Sequence, residues 1–285
     1  MIEDSESNYI QSSDGLKLYY IIRKPENPKA VVCLLHGHGE HIGRYEHVVD
    51  YLSEKGIASV GFDFRGHGKS EGSRGHMPSM DTVLDDVEES LKFTRVNFLD
   101  IPMFLFGHSF GGCVTLTYVL KKPVTELTGF IASSPWLALA FEPPKWKVKM
   151  GEYMASVFPR LTLASELDTT HLSKDEELVK EYVSDPLVHN KVSAKFFSET
   201  VKAGSYVQQK AEDTKLPGLV YHGDSDQIIS FSATKRTAEK SEKIEFHAFD
   251  GVFHEPHNDL EKQKVLSLLE SWISTKSKQI VAEQS

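Results

Sequence analysis

The residues with most chemistry to offer are Gly107-His108-Ser109-Phe110-Gly111-Gly112. They follow the apolar run Ile101–Phe106 and lead directly into a helix-like segment, Cys113 to Leu120. Glycines two positions before and two after a serine permit a turn that larger neighbours would obstruct. Such a turn pushes the hydroxyl out at the carboxyl end of a strand, beside a helix N-terminus. Gly-x-Ser-x-Gly alone is a weak signal, and the flanking strand and helix give it its weight. Ser109 is the candidate nucleophile. An alcohol is poorly nucleophilic at neutral pH, so it needs a base to take its proton and a carboxylate to orient that base.

Two downstream segments can supply these partners. Tyr221-His222-Gly223-Asp224-Ser225-Asp226-Gln227 ends the strand-like run Gly218–His222 and precedes helical text, which places it on the same sheet edge as Ser109. Asp224 is placed to brace the turn. Asp226 lies further out, can turn back across the edge, and is the preferred acid. Asp250 to His257 follows the last strand-like run, Ile244–Phe249, and carries His254, the preferred base. His247 lies inside that strand, His222 ends another, and His257 is three residues past His254 and does not readily occupy the same spot. The chain order serine, acid, histidine is the one doubly wound sheets use for this chemistry. An oxyanion formed by attack at a carbonyl needs two backbone N–H donors. Phe110, at the helix start, is one candidate. His38 is the other, in the loop His36-Gly37-His38-Gly39-Glu40-His41. The Gly-x-Gly of that loop lacks the spacing of a dinucleotide fingerprint, and no Walker-type lysine follows it.

The positioning elements are legible as short apolar runs alternating with amphipathic stretches. Strands are expected at Leu16–Ile22, Ala30–His36, Ala58–Phe64, Ile101–Phe106, Gly129–Ser133, Gly218–His222 and Ile244–Phe249. Several are nearly continuous in Val, Ile, Leu and Phe, as in strands covered on both faces. Tyr45, Val48, Val49 and Leu52 fall at helical spacing, as do Val83, Leu84, Val87 and Leu91. Val265, Leu266, Leu269, Trp272 and Ile273 mark a last helix, and the polar tail from Ser274 is expected to fray. This alternation specifies an α/β fold with a doubly wound, mostly parallel sheet. Between residues 137 and 206 no strand is expected. A segment this long points to an inserted helical cap, with 1–136 and 207–285 forming the core. Trp146, Met150, Tyr153, Met154, Val157 and Phe158 give its first helix a broad apolar stripe, which suits packing on the domain beneath, an acyl tunnel or a lipid surface.

Composition narrows the function classes. The 285 residues are 40% hydrophobic and 26% charged, ordinary for a globular enzyme, and a net charge of −9 argues against a nucleic-acid partner. No run approaches a spanning helix, and the acidic start Met1 to Ser7 has no signal-peptide character. Cys33 and Cys113 read as buried, reduced thiols, and the thirteen histidines show no metal-ligand spacing. The expectation is a cytoplasmic protein, monomeric or weakly self-associating, with transient membrane contact through the cap and no metal or organic cofactor.

A wider set of motifs then comes into register. His36-Gly37-His38-Gly39-Glu40-His41-Ile42-Gly43-Arg44-Tyr45, Asp63-Phe64-Arg65-Gly66-His67-Gly68-Lys69-Ser70-Glu71-Gly72, the segment around Ser109, Ser184-Asp185-Pro186-Leu187 and the segments around Asp226 and His254 together resemble the monoacylglycerol lipase / lysophospholipase branch of the α/β-hydrolase superfamily. The likeness spans roughly residues 13 to 273. It implies the α/β-hydrolase fold, a cap inserted at 137–206, and hydrolysis of a single-chain acyl ester held in an apolar tunnel. It also implies that Glu40, Arg44 and His257 lie near the exit that accommodates a glycerol head. The residues themselves equally allow a Glu40–Arg44 ion pair at i, i+4 and an exposed His257. Lysophospholipase, short-chain carboxylesterase and thioesterase activities fit the same frame, as does a silent, hydrolase-like binding protein.

Overall fold

The computed structural model describes residues 8–141, 145–165 and 167–283. Runs rich in β-branched and aromatic residues, bounded by Gly, Pro and Asp, form the strands. These are β1 (Tyr9–Gln11), β2 (Lys17–Arg23), β3 (Ala30–Leu35), β4 (Ile57–Phe62), β5 (Met103–His108), β6 (Gly129–Ser133), β7 (Thr162–Ala164), β8 (Lys191–Ser193), β9 (Gly218–Gly223) and β10 (Ile244–Phe249). The helices are α1 (Glu46–Glu54), α2 (Met80–Asn97), α3 (Phe110–Lys121), α4 (Lys145–Val157), α5 (Glu176–Ser184), α6 (Ala194–Lys210), α7 (Phe231–Ala238) and α8 (Lys262–Glu283). Side-chain oxygens set several helix starts by accepting from the first turn: Ser79 from Thr82 N–H, Ser193 from Phe196 N–H and Ser230 from Ala233 N–H.

Eight strands make one sheet in the order β1-β2-β4-β3-β5-β6-β9-β10. β1 and β2 pair antiparallel, β2 pairs antiparallel with β4, and every pairing from β4 to β10 is parallel. In β3 the period of two separates the covering layers. Val31, Cys33 and Leu35 enter a core with Val83, Leu84 and Val87 of α2 and Cys113 and Val114 of α3. Ala30, Val32 and Leu34 enter the opposite core, with Val48, Val49 and Leu52 of α1 and Val265, Leu269 and Trp272 of α8. Both faces are therefore buried, and the carboxyl ends of β3, β5, β6, β9 and β10 open on one edge.

Two expectations need correction. The stretch 137–206 does contain strands: β7 and β8 pair antiparallel, with Leu163 opposite Val192. Each has three residues, too few for a period to show in sequence. α6 continues past residue 206 to Lys210, and Phe196, Ala203 and Val207 on its inner face pack into the cores below. Nor does the chain leave its helix at Ser274, because α8 runs on to Glu283. Ser277 is buried there and donates to the Ile273 carbonyl, while Lys276 pairs with Glu245 of β10. Packing holds what polarity alone would release. β1 shows no sequence signal, because its three exposed or half-buried residues pair, among the described residues, with β2 alone.

The Arg65 turn after β4 is fixed by a buried charge pair. Arg65 donates through Nε and Nη2 to both oxygens of Asp86 on α2, and Ser12 Oγ donates to the same carboxylate. Arg65 and Asp86 are almost fully buried. Arg65 Nη1 also pairs with the more exposed Asp14, so removing Asp86 leaves the guanidinium only that outer partner. Asp86→Ala is expected to lower stability by about 3 kcal/mol, read as a lower denaturation midpoint.

Candidate active site

Ser109 sits between β5 and α3 at φ +53° and ψ −112°, a left-handed conformation for a residue with a side chain. The turn closes because its flanks carry no Cβ. A Cβ on Gly107 would lie 2.1 Å from the Gly111 carbonyl oxygen, and one on Gly111 would lie 2.5 Å from the carbonyl oxygens of Leu35 and His36. Ser109 N–H donates to Ser133 O of β6, and its carbonyl accepts from Trp136 and Cys113.

The structure brings the three sequence-derived candidates together. Ser109 Oγ lies 2.9 Å from His254 Nε2, and His254 Nδ1 lies 2.7 Å from Asp226 Oδ2. Asp226 Oδ1 accepts from the backbone N–H groups of Ile228 and Ile229. Asp224 plays a different part, accepting from Gly251 N–H at 2.7 Å and so tying the β9 and β10 loops together. Burial works against a charged Asp226, but His254 and His222 beside it hold its carboxyl far below the usual carboxylate range. Burial would likewise lower His254, yet the Asp226 charge and hydrogen bond prevail and raise it above an ordinary histidine. A base oriented by a buried anion, with its free nitrogen on a serine hydroxyl, can accept the serine proton. His247 stays on β10, away from this edge.

The backbone N–H groups of His38 and Phe110 donate to no acceptor among the described residues. Phe110 opens α3, where N–H groups are free and the helix dipole favours negative charge. His38 lines the cavity, its ring against Phe196 with centroids 4.5 Å apart. Burial pushes its imidazole down to about 3, so it is neutral.

Glu40, Arg44 and His257 are held in a largely buried network of charges and rings. Arg44 forks both oxygens of Glu255 at 2.9 and 2.7 Å and also holds Glu40 Oε2. The other Glu40 oxygen accepts from Gly37 N–H and Tyr45 Oη. Glu40 and Glu255 reach the cavity wall, but Arg44 and His257 do not. His257 is wholly buried, stacked on Tyr45 at 4.8 Å and close to His108. Through Glu40, which accepts from Gly37 N–H, this network braces the loop carrying His38. The sequence reading missed Glu255, 211 positions from its partner, although it directly follows His254. It also gave no role to Asp185, which accepts from His41 Nε2 at 2.8 Å and joins the 137–206 segment to the same loop.

A cavity of about 410 Å³ opens over Ser109 and His254. Its walls are largely apolar, among them Trp136, Leu139, Leu172, Val192, Phe197 and Ile229. None of the described lining residues is Lys or Arg. No group of three or more metal-ligating side chains occurs among the described residues.

The Arg44 bracing has a measurable consequence. Arg44 holds Glu255 down to about 2, below its ordinary 4.5. That stabilisation is fully present above about pH 4.5 and is lost as pH falls toward 2. Arg44→Met is expected to cost about 3–5 kcal/mol at neutral pH. The deficit should shrink as the two carboxylates protonate, which denaturation midpoints at pH 7 and pH 4 compare.

Comparison with known proteins bears on the family and the fold. The family model described as serine aminopeptidase, S33, matches residues 26–261. A monoacylglycerol lipase of Mycolicibacterium smegmatis is 29% identical over 263 residues, covering 91% of this chain and 93% of its own. An uncharacterized abhydrolase domain-containing protein of Dictyostelium discoideum is 35% identical over 253 residues, 86% of this chain, which spans only 26% of that protein's length. The crystal structure of Paleococcus ferrophilus monoacylglycerol lipase superposes with a TM-score of 0.83 at 31% identity, covering 91% of this chain and 99% of that one. With the mostly parallel sheet and a serine on a strained strand–helix turn, these findings make the chain a member of the serine aminopeptidase S33 family, in the monoacylglycerol lipase branch of the α/β-hydrolase superfamily, and a carboxylic ester hydrolase.

Proposed function

We propose that the protein hydrolyses monoacylglycerols, single-chain acyl glycerides, to fatty acid and glycerol through an acyl-enzyme on Ser109. The observation that carries this reading is the hydrogen-bonded line Ser109 Oγ–His254–Asp226 at the floor of an apolar cavity. His254 takes the Ser109 proton as the hydroxyl oxygen attacks the acyl carbonyl, and Asp226 steadies the imidazolium. The His38 and Phe110 amides receive the developing oxyanion. His254 then returns the proton to the departing alcohol oxygen, and later draws one from the water that cleaves the acyl-enzyme. The segment 137–206 acts as the cap, because Leu163, Leu172, Tyr182 and Val192 close the cavity above the serine.

The cavity chemistry also separates substrates. An aminopeptidase needs an unpaired carboxylate for the substrate's amino group, whereas the described carboxylates at the wall, Glu40 and Glu255, are held by Arg44. A phosphorylated head wants a cation, and no described lining residue supplies one. A volume within the roughly 300–1,000 Å³ of small-molecule sites suits an acyl chain.

Lipid-surface contact is the second element of the proposal. No helix of the described residues is long and apolar enough to cross a membrane. Trp146, Met150, Tyr153 and Phe158, on and just after α4, nonetheless stand more than half exposed, with Phe141 and Leu163 nearby in sequence. A patch of this character fits partial burial in a lipid interface.

In a hydrolysis series on monoacylglycerols and p-nitrophenyl esters, each added methylene should contribute about 0.8 kcal/mol, roughly fourfold in kcat/KM, until the cavity is full. Ser109→Ala should lose about a thousandfold or more in turnover. Activity confined to acetyl and butyryl esters would contradict the lipase reading. Replacing Trp146 and Tyr153 together with Ser should reduce turnover of vesicle-borne monoacylglycerol several-fold while sparing a soluble short-chain ester. Equal loss on both substrates would place those rings elsewhere in the account.

A further inference from the structure

Asp226 serves two imidazoles through one oxygen. His254 Nδ1 and His222 Nε2 each lie 2.7 Å from Asp226 Oδ2, while Oδ1 takes the two backbone N–H groups of Ile228 and Ile229. His222 is the penultimate residue of β9, fully buried, with its ring edge-on to Phe231. Among the described residues its Nδ1 has no hydrogen-bond partner. That orphan fixes the tautomer. A proton on Nδ1 would strand an N–H in the core and set two lone pairs against each other at 2.7 Å. A proton on Nε2 leaves only a bare lone pair buried and makes His222 a donor to Asp226. His222 takes no part in the proton transfers between Ser109, His254 and the substrate.

We propose that His222 is a positioning residue for the triad: as a permanently neutral N–H donor it shares the Asp226 charge, keeps Asp226 from accepting a proton when His254 becomes an imidazolium, and so sets the pH at which His254 becomes a free base. Burial lowers the His222 pKa despite its carboxylate partner, consistent with neutrality. Without the donor, Asp226 Oδ2 would have a single imidazole to serve and would pull harder on the His254 N–H. His254 would then hold its proton to higher pH. The other groups around His254 are accounted for. His108 from β5 packs at 4.9 Å between ring centroids and is held neutral by burial. Glu255 and Glu40 act on His254 in the same direction as Asp226, with Arg44 between them. None of these touches Asp226 Oδ2.

The test compares donor-less variants, His222→Phe and His222→Leu, with the donor-retaining His222→Gln, whose amide nitrogen can stand where Nε2 stood. The readouts are kcat, KM and the pH profile of kcat/KM on a p-nitrophenyl ester, with proton NMR of the low-field His254 Nδ1–H. Wild type should show an acid limb above pH 6.5, because the base must be neutral and its pKa is raised. The donor-less variants should move that limb up by about half to one pH unit and lower kcat about threefold to tenfold, with KM unchanged. His222→Gln should restore both. The NMR line should shift in the donor-less variants and return with Gln. A limb and kcat unmoved in Phe and Leu, or altered alike in Phe, Leu and Gln, would overturn the role of His222. The proposal rests on the triad reading, and a His254→Ala control separates the two. Full activity in that variant would sink the triad, whereas its inactivity beside a wild-type-like His222→Phe would sink only this inference.

Discussion

The backbone at Ser109 is the constraint around which the rest is arranged. A left-handed, non-helical conformation at a residue with a Cβ costs on the order of 1–3 kcal/mol and persists only where neighbours over-determine it. Here β5 delivers the chain, α3 takes it away, and the Ser133 carbonyl and the Trp136 and Cys113 amides hold the serine backbone at three points. The side chain is thereby left at the crest with no local cap to make, free to meet a histidine 145 positions away. Every other site residue is placed with respect to that point by a parallel strand ending on the same edge.

A second regularity is the division of protonation among buried imidazoles. His36 and His38 are pushed down to about 3 by burial, and His108 and His257 are also driven well below an ordinary histidine. His254 is as buried as they are but moves the other way, because the Asp226 charge and hydrogen bond, joined by Glu255 and Glu40, outweigh its burial. One imidazole near the serine can therefore cycle its proton while its neighbours stay neutral. Glu40 and Glu255 are paired with Arg44 and Asp86 with Arg65, while the buried Asp63 and Asp259 take backbone N–H groups. The cavity consequently presents an apolar wall with a polar floor, the division a lipid ester asks for.

Much of this was readable from residue order. Apolar runs placed β2 to β6, β9 and β10 within one or two residues, because strands buried on both faces show as near-continuous hydrophobic text. The strand–serine–helix junction and the loops after β9 and β10 located Ser109, Asp226 and His254 for a related reason: a parallel sheet forces such loops to one edge. What escaped notice depended on long-range packing. Three-residue β1, β7 and β8 have no period to read, and polar α8 residues past Ser274 are helical because Ser277 is buried and Lys276 pairs across to β10. The Glu255 that claims the Arg44 guanidinium is distant in sequence, and a histidine's burial, as at His257, is not written in its neighbours. In sequence His222 reads as the end of a strand. Its sharing of Asp226 is a fact of geometry alone.

The central claim, that His254 activates the Ser109 oxygen for acyl transfer, is tested most directly by intact-protein and peptide mass spectrometry after reaction with a long-chain alkyl fluorophosphonate. The account predicts one adduct per chain, located on Ser109, abolished by Ser109→Ala and slowed at least about a hundredfold by His254→Ala. An adduct on another residue, or labelling of Ser109 that proceeds at the same rate without His254, would contradict it.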